Sequence, residues 1–498
     1  MWTPFSSPHR RPSMRLRSPR RALRPDFMAL EGRAVLSVAF DSVLTVGSDT
    51  ASIAPLDSAV DGAGNTYVTG SLQAPIDFDP ANVHADGSDI LTPRGTSDAY
   101  VVKYNADNSF AWARTLGGDY VRQSNLDELE RGNGIRVDGA GNVYVTGTFF
   151  GQADFGAIRL TSAGNADAFV AKLNGSGTVV WAKSWGSSGQ DVGNDLAVDG
   201  AGNVVAVGTS AYSDPVSGWI ANTSQVRKYG PTGAAVWNAS FAGPTHAAYG
   251  VATDAANNVY VAGRFSGTVD FNPDARKANY ASGNYGSGYV LKLTSAGAYG
   301  WVSTFQTRTT SQSYGSAMTI NDLAVDPAGN VAVVGNFQGE IDFNPSASVD
   351  TRLPDTRRVN GFVVKLASNG SLAWARHTGG DAANAVAFDT AGAAYVTGTF
   401  YAAPGFSPGF GQPDTPSSGS ADVYLSKYTT AGDLAWATTF GGDGPVTAYG
   451  LSVDASGTIF LAGTWGAGTT DFDPDPLTTQ ERNNAAFNDL FLLKLRQS

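Results

Sequence analysis

The sequence predicts an all-β protein, a seven-bladed β-propeller of four-stranded antiparallel blades. Three observations carry that expectation. A strand–turn–strand unit recurs seven times, each copy but the last is followed by strands bearing Lys and Trp, and the two chain ends supply complementary parts of one blade. A single sheet of this kind cannot bury both faces. Packing several sheets radially around an axis does, and leaves only short edges.

The copies of the first half run 60–70, 137–147, 198–208, 253–263, 325–335, 388–398 and 453–463. Each reads as a short apolar strand ending near Asp, a Gly/Asn turn, and a second strand ending in Gly. The turn aspartates are Asp61, Asp138, Asp199, Asp254, Asp326, Asp389 and Asp454, spaced 77, 61, 55, 72, 63 and 65 residues apart. The second half is a third strand ending near Lys, a Gly-containing turn, and a fourth strand carrying Trp. Ala168 to Leu173 is followed in this way by Val179 to Lys183, Gly361 to Leu366 by Leu372 to Ala375, and Val423 to Tyr428 by Leu434 to Ala437. The tryptophans are Trp112, Trp181, Trp237, Trp301, Trp374 and Trp436. Their large rings are expected to fill the space between adjacent blades.

The seventh copy stops after its third strand, Asp489 to Leu495, and has no Trp strand. Before the first copy lies an unassigned strand-like stretch, Ser37 to Gly47. It is expected to pair with the C-terminal strands as the missing outer strand, which removes an open edge. The propeller domain is thus placed at 36–498.

Composition agrees with one large β domain. The 498 residues include 60 Gly, 42% hydrophobic and 11% aromatic residues, enough to build a core and many tight turns. There is no cysteine, which excludes disulfides, thiolate catalysis and zinc–thiolate sites. No apolar run approaches the roughly 20 residues of a membrane helix. Residues 1–33 carry eight Arg against Asp26 and Glu31, a net of +6 that leaves −17 of the total −11 for the rest. An acidic body repels phosphate backbones, so nucleic acid is not an expected partner.

The pattern Asp-x-x-Gly-Asn-x-Tyr-Val-Thr-Gly, followed by Lys-Leu and Trp-Ala, resembles the SBBP repeat of bacterial seven-bladed propellers, over about residues 38–498. It is somewhat like the quinoprotein-type and NHL repeats as well. That resemblance implies architecture and brings no catalytic residues. Residues 1–35 read as a basic leader without the apolar centre of roughly 7–15 residues that a secretory signal has. Within it, Leu30-Glu-Gly-Arg33 and Val35-Leu-Ser37 resemble the export-associated segment of planctomycete-type surface proteins. The resemblance implies an extracellular or cell-envelope location.

Loop lengths place a candidate binding face. The long connections join strands two and three, at 71–98, 264–288, 336–360, 399–421 and 464–488, and moderately long ones join blades. In an up-and-down blade these emerge on the same face. Several share a motif: Ile76 to Pro80, Val269 to Pro273, Ile341 to Pro345 and Thr470 to Pro474, with a truncated copy at Ala153 to Phe155. Two chemistries fit Asp-Phe-Asp/Asn-Pro. Phe inserts into a blade interface while the Asp or Asn side chain starts a turn, or carboxylates two residues apart bind Ca²⁺ with loop carbonyls. The calcium candidates are Asp471, Asp473 and Asp475, with Asp77 and Asp79. They form no EF-hand, because Pro476 and Arg482 stand where Gly and Glu are required.

No catalytic motif is found. His9, His84, His246 and His377 are scattered and expected at the surface. No G-x-S-x-G elbow is present. The Gly-x-Gly at Gly62 and Gly139 opens a strand where dinucleotide binding needs a helix. Sialidase-type Asp boxes are missing too. The function expected is a non-enzymatic, monomeric, secreted or cell-surface propeller that binds protein or glycan through its long-loop face, with no cofactor other than a possible Ca²⁺. The alternatives are an exported propeller enzyme (lyase, hydrolase or quinoprotein-like) and a purely structural envelope protein. Carboxylates, Arg and Tyr gathered over a central channel would distinguish the enzyme.

Overall fold

The recurring Asp is the nucleus of each first turn. Asp61 Oδ1 accepts the backbone N–H groups of Ala63 (2.9 Å) and Asn65 (3.0 Å), and Oδ2 accepts from Asn65 Nδ2 (2.7 Å) and the Tyr67 hydroxyl (3.0 Å). Asp138 and Asp254 hold the same partners at the same spacing. Burial pushes the Asp61 carboxyl up, and the bonds from Asn65, Tyr67 and Ala63 outweigh it and hold the group below its usual range. The Asn and Tyr of the motif are thus partners of its aspartate. The third-strand Lys completes the cluster in two ways. Lys103, Lys172, Lys292 and Lys427 lie over the rings of Tyr67, Tyr144, Tyr260 and Tyr395 at 5.2, 5.0, 4.7 and 4.8 Å. Lys292 and Lys427 also pair with Asp254 (3.5 Å) and Asp389 (3.1 Å), and where Val205 and Ala332 stand in place of Tyr, Lys228 and Lys365 are buried and close to 2.8 Å on Asp199 and Asp326.

The structure is a computed structural model that describes residues 38–47, 52–82, 84–120, 129–213, 220–243, 245–274, 279–282, 286–308, 317–344, 353, 359–401, 421–475, 478–484 and 488–497. The export-like leader lies outside them. All regular elements among the described residues are strands, paired antiparallel into curled, propeller-like sheets. Residues 36–498 form one compact unit. In the fifth repeat, Ala317–Val325, Val331–Gln338, Asn360–Leu366 and Leu372–His377 pair in that order. The second repeat departs from the expected short strands. There Val143–Phe155 and Ile158–Leu173 run on as one long hairpin, so the truncated motif lies within a strand.

The N-terminal stretch pairs as expected. Val38–Val46 runs antiparallel to Asp489–Gln497, from Val38 opposite Gln497 to Val46 opposite Leu490. Contacts between the last and first repeats cross the chain ends. Lys494 Nζ donates to the Ala106 carbonyl at 2.6 Å, and Asn108 Nδ2 to the Ser42 hydroxyl at 3.1 Å.

The tryptophans link neighbouring repeats. Each indole N–H reaches the turn between strands three and four of the next repeat. Trp112 donates to Gly175, Trp181 to Pro231, Trp237 to Ser295, Trp301 to Ser368 and Trp374 to Thr430, at 3.0–3.1 Å. A glycine in that turn lets the ring approach. A Cβ on Gly177, whose φ is +77°, would lie 2.7 Å from the Trp112 ring. Trp436 is the exception among these six strand-four tryptophans. Its N–H has no partner among the described residues, and the seventh repeat has no strand-three-to-four turn to offer, because its outer strand comes from the chain's other end.

The Asp-Phe segments dock on the preceding repeat. Gly117 pairs with Asp154, Gln306 with Asp342 and Gly441 with Asp471. Phe78, Phe155, Phe271, Phe343 and Phe472 are all buried in sheet cores. His246 overturns the surface expectation. It is fully buried, stacked on Tyr289 with centroids 5.1 Å apart, and burial pushes its imidazole down to about 4.

Removing residues 38–47 strips the last sheet of its outer strand and exposes the Asp489–Gln497 edge. Melting of that truncated chain is expected to fall on the order of 10 °C below the intact chain, in one cooperative step. Unchanged melting would show that this strand does not hold the structure closed.

Candidate functional site

The first strands of the seven repeats are Ile53–Val60, Arg131–Val137, Asp191–Val198, Thr245–Thr253, Ala317–Val325, Ala382–Phe388 and Val446–Val453. Together they line a single cavity of about 490 Å³, the central channel. Each strand slips register at the same place, inserting one extra residue: Leu56, Asn133, Asn194, Tyr249, Asn321, Asn384 or Tyr449. The motif glycine ending the second strand faces this bulge. A Cβ on Gly70 would overlap the Ala54 carbonyl. A bulge turns its extra side chain out of the ladder and frees backbone groups that need partners.

Those partners come from across the repeats. Asn133, Asn194, Asn321 and Asn384 each donate to a carbonyl of the next first strand, at Gly193, Ala248, Ala383 and Ala448 (2.7–3.0 Å). The residue after the bulge is Asp in repeats one, three and five, and Gly or Ala in the others. Each aspartate serves two repeats. Oδ1 of Asp57, Asp195 and Asp322 accepts the N–H of Ser58, Leu196 and Leu323, and Oδ2 accepts that of Ile135, Val251 and Val386 in the next repeat (2.7–2.9 Å).

One arginine enters this ring. Arg136 Nη1 lies 2.5 Å from Asp57 Oδ2, and Nη2 lies 3.0 Å from Asp195 Oδ1. Burial works against its charge, and Asp195 and Asp57 more than restore it, so the guanidinium stays protonated. Asp322 has no such cation among the described residues. Burial holds its carboxyl at about 7, with the Asp195 charge adding to the shift, while burial holds Asp195 at about 6 against the pull of Arg136. Three carboxylates, one guanidinium, four amides and the side chains of Tyr249 and Tyr449 thus line one polar channel. None of these had been singled out in the sequence. Their signal is an Asp four residues before the turn aspartate in repeats one, three and five.

The calcium candidates are arranged differently. Asp77 Oδ1 accepts the N–H of Asp79, and Asp79 itself binds His84 Nε2 (2.8 Å) and Asn82. Asp471 Oδ1 accepts from the N–H groups of Asp473 and Gln480, and Asp473 from Asp475 N–H and the Thr478 hydroxyl. Asp270 and Asp342 cap Asn272 and Asn344 in the same way. These carboxylates face their own turns. Among the described residues no three His, Asp or Glu side chains gather as a metal-holding group. Much of the long-loop face lies outside the described residues. The connection 71–98 is described apart from residue 83; it holds a short hairpin (Ile76–Asp77 with Ile90–Leu91), and its Arg94 pairs with Asp98 and Asp154.

No protein-family profile matches the chain. It is 22% identical, over 473 aligned residues and 75% of its length, to an uncharacterized WD repeat-containing protein of Acanthamoeba polyphaga mimivirus. The chain spans about a third (32%) of that relative's length. Among solved structures it is similar to the Dos1 propeller (8% identity, 92% of this chain and 95% of that one, TM-score 0.41) and to the polysaccharide lyase Uly1 (8%, 92% and 99%, 0.42). Likenesses this remote say nothing of chemistry. No helix is long and apolar enough to cross a membrane among the described residues.

Two outcomes follow from this geometry. Because Asp322 keeps its proton to about pH 7 in the folded chain and loses it near 3.8 when unfolded, its contribution to stability is full below that lower value and is lost as pH rises through 7. Asp322→Asn removes the titration. The melting difference between variant and parent should be more favourable to the variant at about pH 8 than at about pH 5, by on the order of 1 kcal/mol in this water-accessible channel. An identical difference at both values would refute it. Separately, Ca²⁺ and EDTA are expected to leave the melting of the full chain unmoved. A rise with Ca²⁺ that EDTA reverses would make the Asp-Phe-Asp loops metal sites.

Proposed function

We propose that this chain is an exported propeller of seven four-stranded blades, built of SBBP-type repeats behind an N-terminal export segment. It acts as a non-enzymatic, monomeric binding module for a protein or glycan at the cell envelope. What supports this reading above all is how the repeated residues are spent. The turn aspartates, tyrosines and lysines, the tryptophans and the Asp-Phe segments each bond within a repeat or to its neighbour. The WD-repeat name of the remote relative leans the same way, toward protein interaction.

One observation favours a second reading, the exported enzyme. Asp195 and Asp322, with raised pKa values, share a polar cavity with Arg136, Tyr249 and Tyr449. Perturbed carboxylates in a cavity also mark acid–base sites, though ion networks perturb them equally.

The test compares the full chain with two variants in its own cells, by fractionation and by crosslinking to envelope proteins and glycans. In one, residues 345–358 and 402–420 become Gly/Ser of equal length; in the other, Asp322 becomes Asn. The expected result is envelope or extracellular recovery, with crosslinks lost in the loop variant alone. Loss in the Asp322→Asn chain alone would move function to the channel. Recovery in the cytoplasm would end the export reading.

A further inference from the structure

The channel contains one seat filled by an arginine and an equivalent seat with none. Arg136 stands three residues after the bulge residue Asn133 and pairs across its sheet with Tyr144. Ala252 stands three residues after Tyr249 and pairs with Tyr260, the same register one step along the motif. Both strands receive the same bond from the preceding repeat, Ile135 N–H to Asp57 Oδ2 and Val251 N–H to Asp195 Oδ2, each 2.9 Å. Both are followed by a repeat whose aspartate uses Oδ1 to cap its own strand, Asp195 at Leu196 and Asp322 at Leu323, each 2.7 Å. Around Arg136, those two carboxylate oxygens, Asp57 Oδ2 and Asp195 Oδ1, hold the guanidinium. Around Ala252, the corresponding oxygens are Asp195 Oδ2 and Asp322 Oδ1. The side chain between them ends at a methyl group, and the space opens on the cavity of about 490 Å³. At this position the other repeats carry Ala59, Ala197, Ala324, Ala387 and Ser452, so Arg136 is the one large residue of its ring.

We propose that the wall formed by Asp195, Ala252 and Asp322 is a binding seat for a guanidinium group delivered from outside the chain. The chain's own Arg136 shows that two carboxylates presented in this way, one from the preceding and one from the following repeat, accept the fork of a guanidinium, one nitrogen to each. A planar fork with fixed N–H directions meets two separated acceptors with one nitrogen each, where an ammonium must reach both from a single nitrogen. The incoming cation also gives Asp322 a paired counter-charge beyond the unpaired pull of Arg136 and favours the ionised form of both carboxylates. The seat does not depend on the long-loop reading of function, and its failure would leave that reading intact.

Thermal melting of the full chain at about pH 8, where Asp322 is ionised, reads the seat directly. Agmatine represents a free small molecule, and a short capped peptide with a central Arg represents a partner protein's side chain; n-butylamine is the ammonium control. A guanidinium seat gives a melting rise of several degrees with agmatine, with the peptide, or with both, and a clearly smaller one with butylamine. Agmatine alone marks a metabolite, and the peptide alone marks a protein partner. The Asp322→Asn chain should lose the rise. Ala252→Arg should fill the seat from within, melting higher without ligand and no longer responding to agmatine. If that larger side chain prevents folding, the Asp322→Asn result decides. No rise with either guanidinium, an equal rise with butylamine, or a rise that survives Asp322→Asn would each overturn the proposal.

Discussion

Each repeat buries apolar side chains on both of its faces, so its stability depends on its neighbours. The second and third strands of the fifth repeat show the constraint. Val331, Val333 and Val364 pack into one cluster, while Ala332, Val334 and Val363, the alternating residues, pack into the next. A sheet of this kind left alone would expose a full apolar face. The whole arrangement therefore requires that every sheet have a neighbour on each side, including the first and the last. The pairing of Val38–Val46 with Asp489–Gln497, and the bond from Lys494 to Ala106, meet that requirement at the chain ends.

Once the sheets are forced together, their polar backbone must still be satisfied. The repeats divide that work by radius. At the outer end, Trp indoles cap the turns of the next repeat. At the first turn, Asp, Asn, Tyr and Lys form a closed cluster, and Lys228 and Lys365 show its tolerance: where Tyr is missing, the ammonium is buried and closes to 2.8 Å on the aspartate, nearer than Lys292 and Lys427 come beside a Tyr. Along the channel, the bulges free N–H groups that Asp57, Asp195 and Asp322 collect two at a time. An unpaired buried N–H costs as much as a lost hydrogen bond, so these carboxyl groups have a structural reason to stand as acceptors in a place where charge is expensive.

The outer parts of this scheme were legible in the sequence. The Asp-x-x-Gly-Asn-x-Tyr spacing is local, all its bonds fall within six residues, and turn chemistry can be read from such a window. Trp recurrence and the orphan strand at 37–47 were legible because closure leaves a countable remainder. The channel was not. Arg136 meets Asp57 and Asp195 across 79 and 59 residues, and the aspartates stand in alternate repeats, so no single copy shows the set. The Asp-Phe-Asp/Asn-Pro motif was ambiguous for a different reason. A turn cap and a calcium ligand want the same carboxylate two residues from the same donor, and their separation rests on whether other groups converge. His246 was misplaced because nothing in its short neighbourhood shows that Phe241, Phe271 and Tyr289 close over it.

The alternation of Asp and small residues after the bulges has a consequence of its own. The Asp and small residues do not alternate throughout, and two small ones fall side by side. They do so at Ala385 and Gly450, next to the closure, where a Cβ on Gly450 would sit against the Ser58 hydroxyl. That break takes away one carboxylate and leaves three for a ring that has a single arginine. Asp57 and Asp195 share it, and Asp322 is left with backbone N–H groups as its partners and a carboxyl held near neutrality. Asp322 stands beside a wall whose twin already holds a cation, and charge balance in the channel improves when a second cation enters.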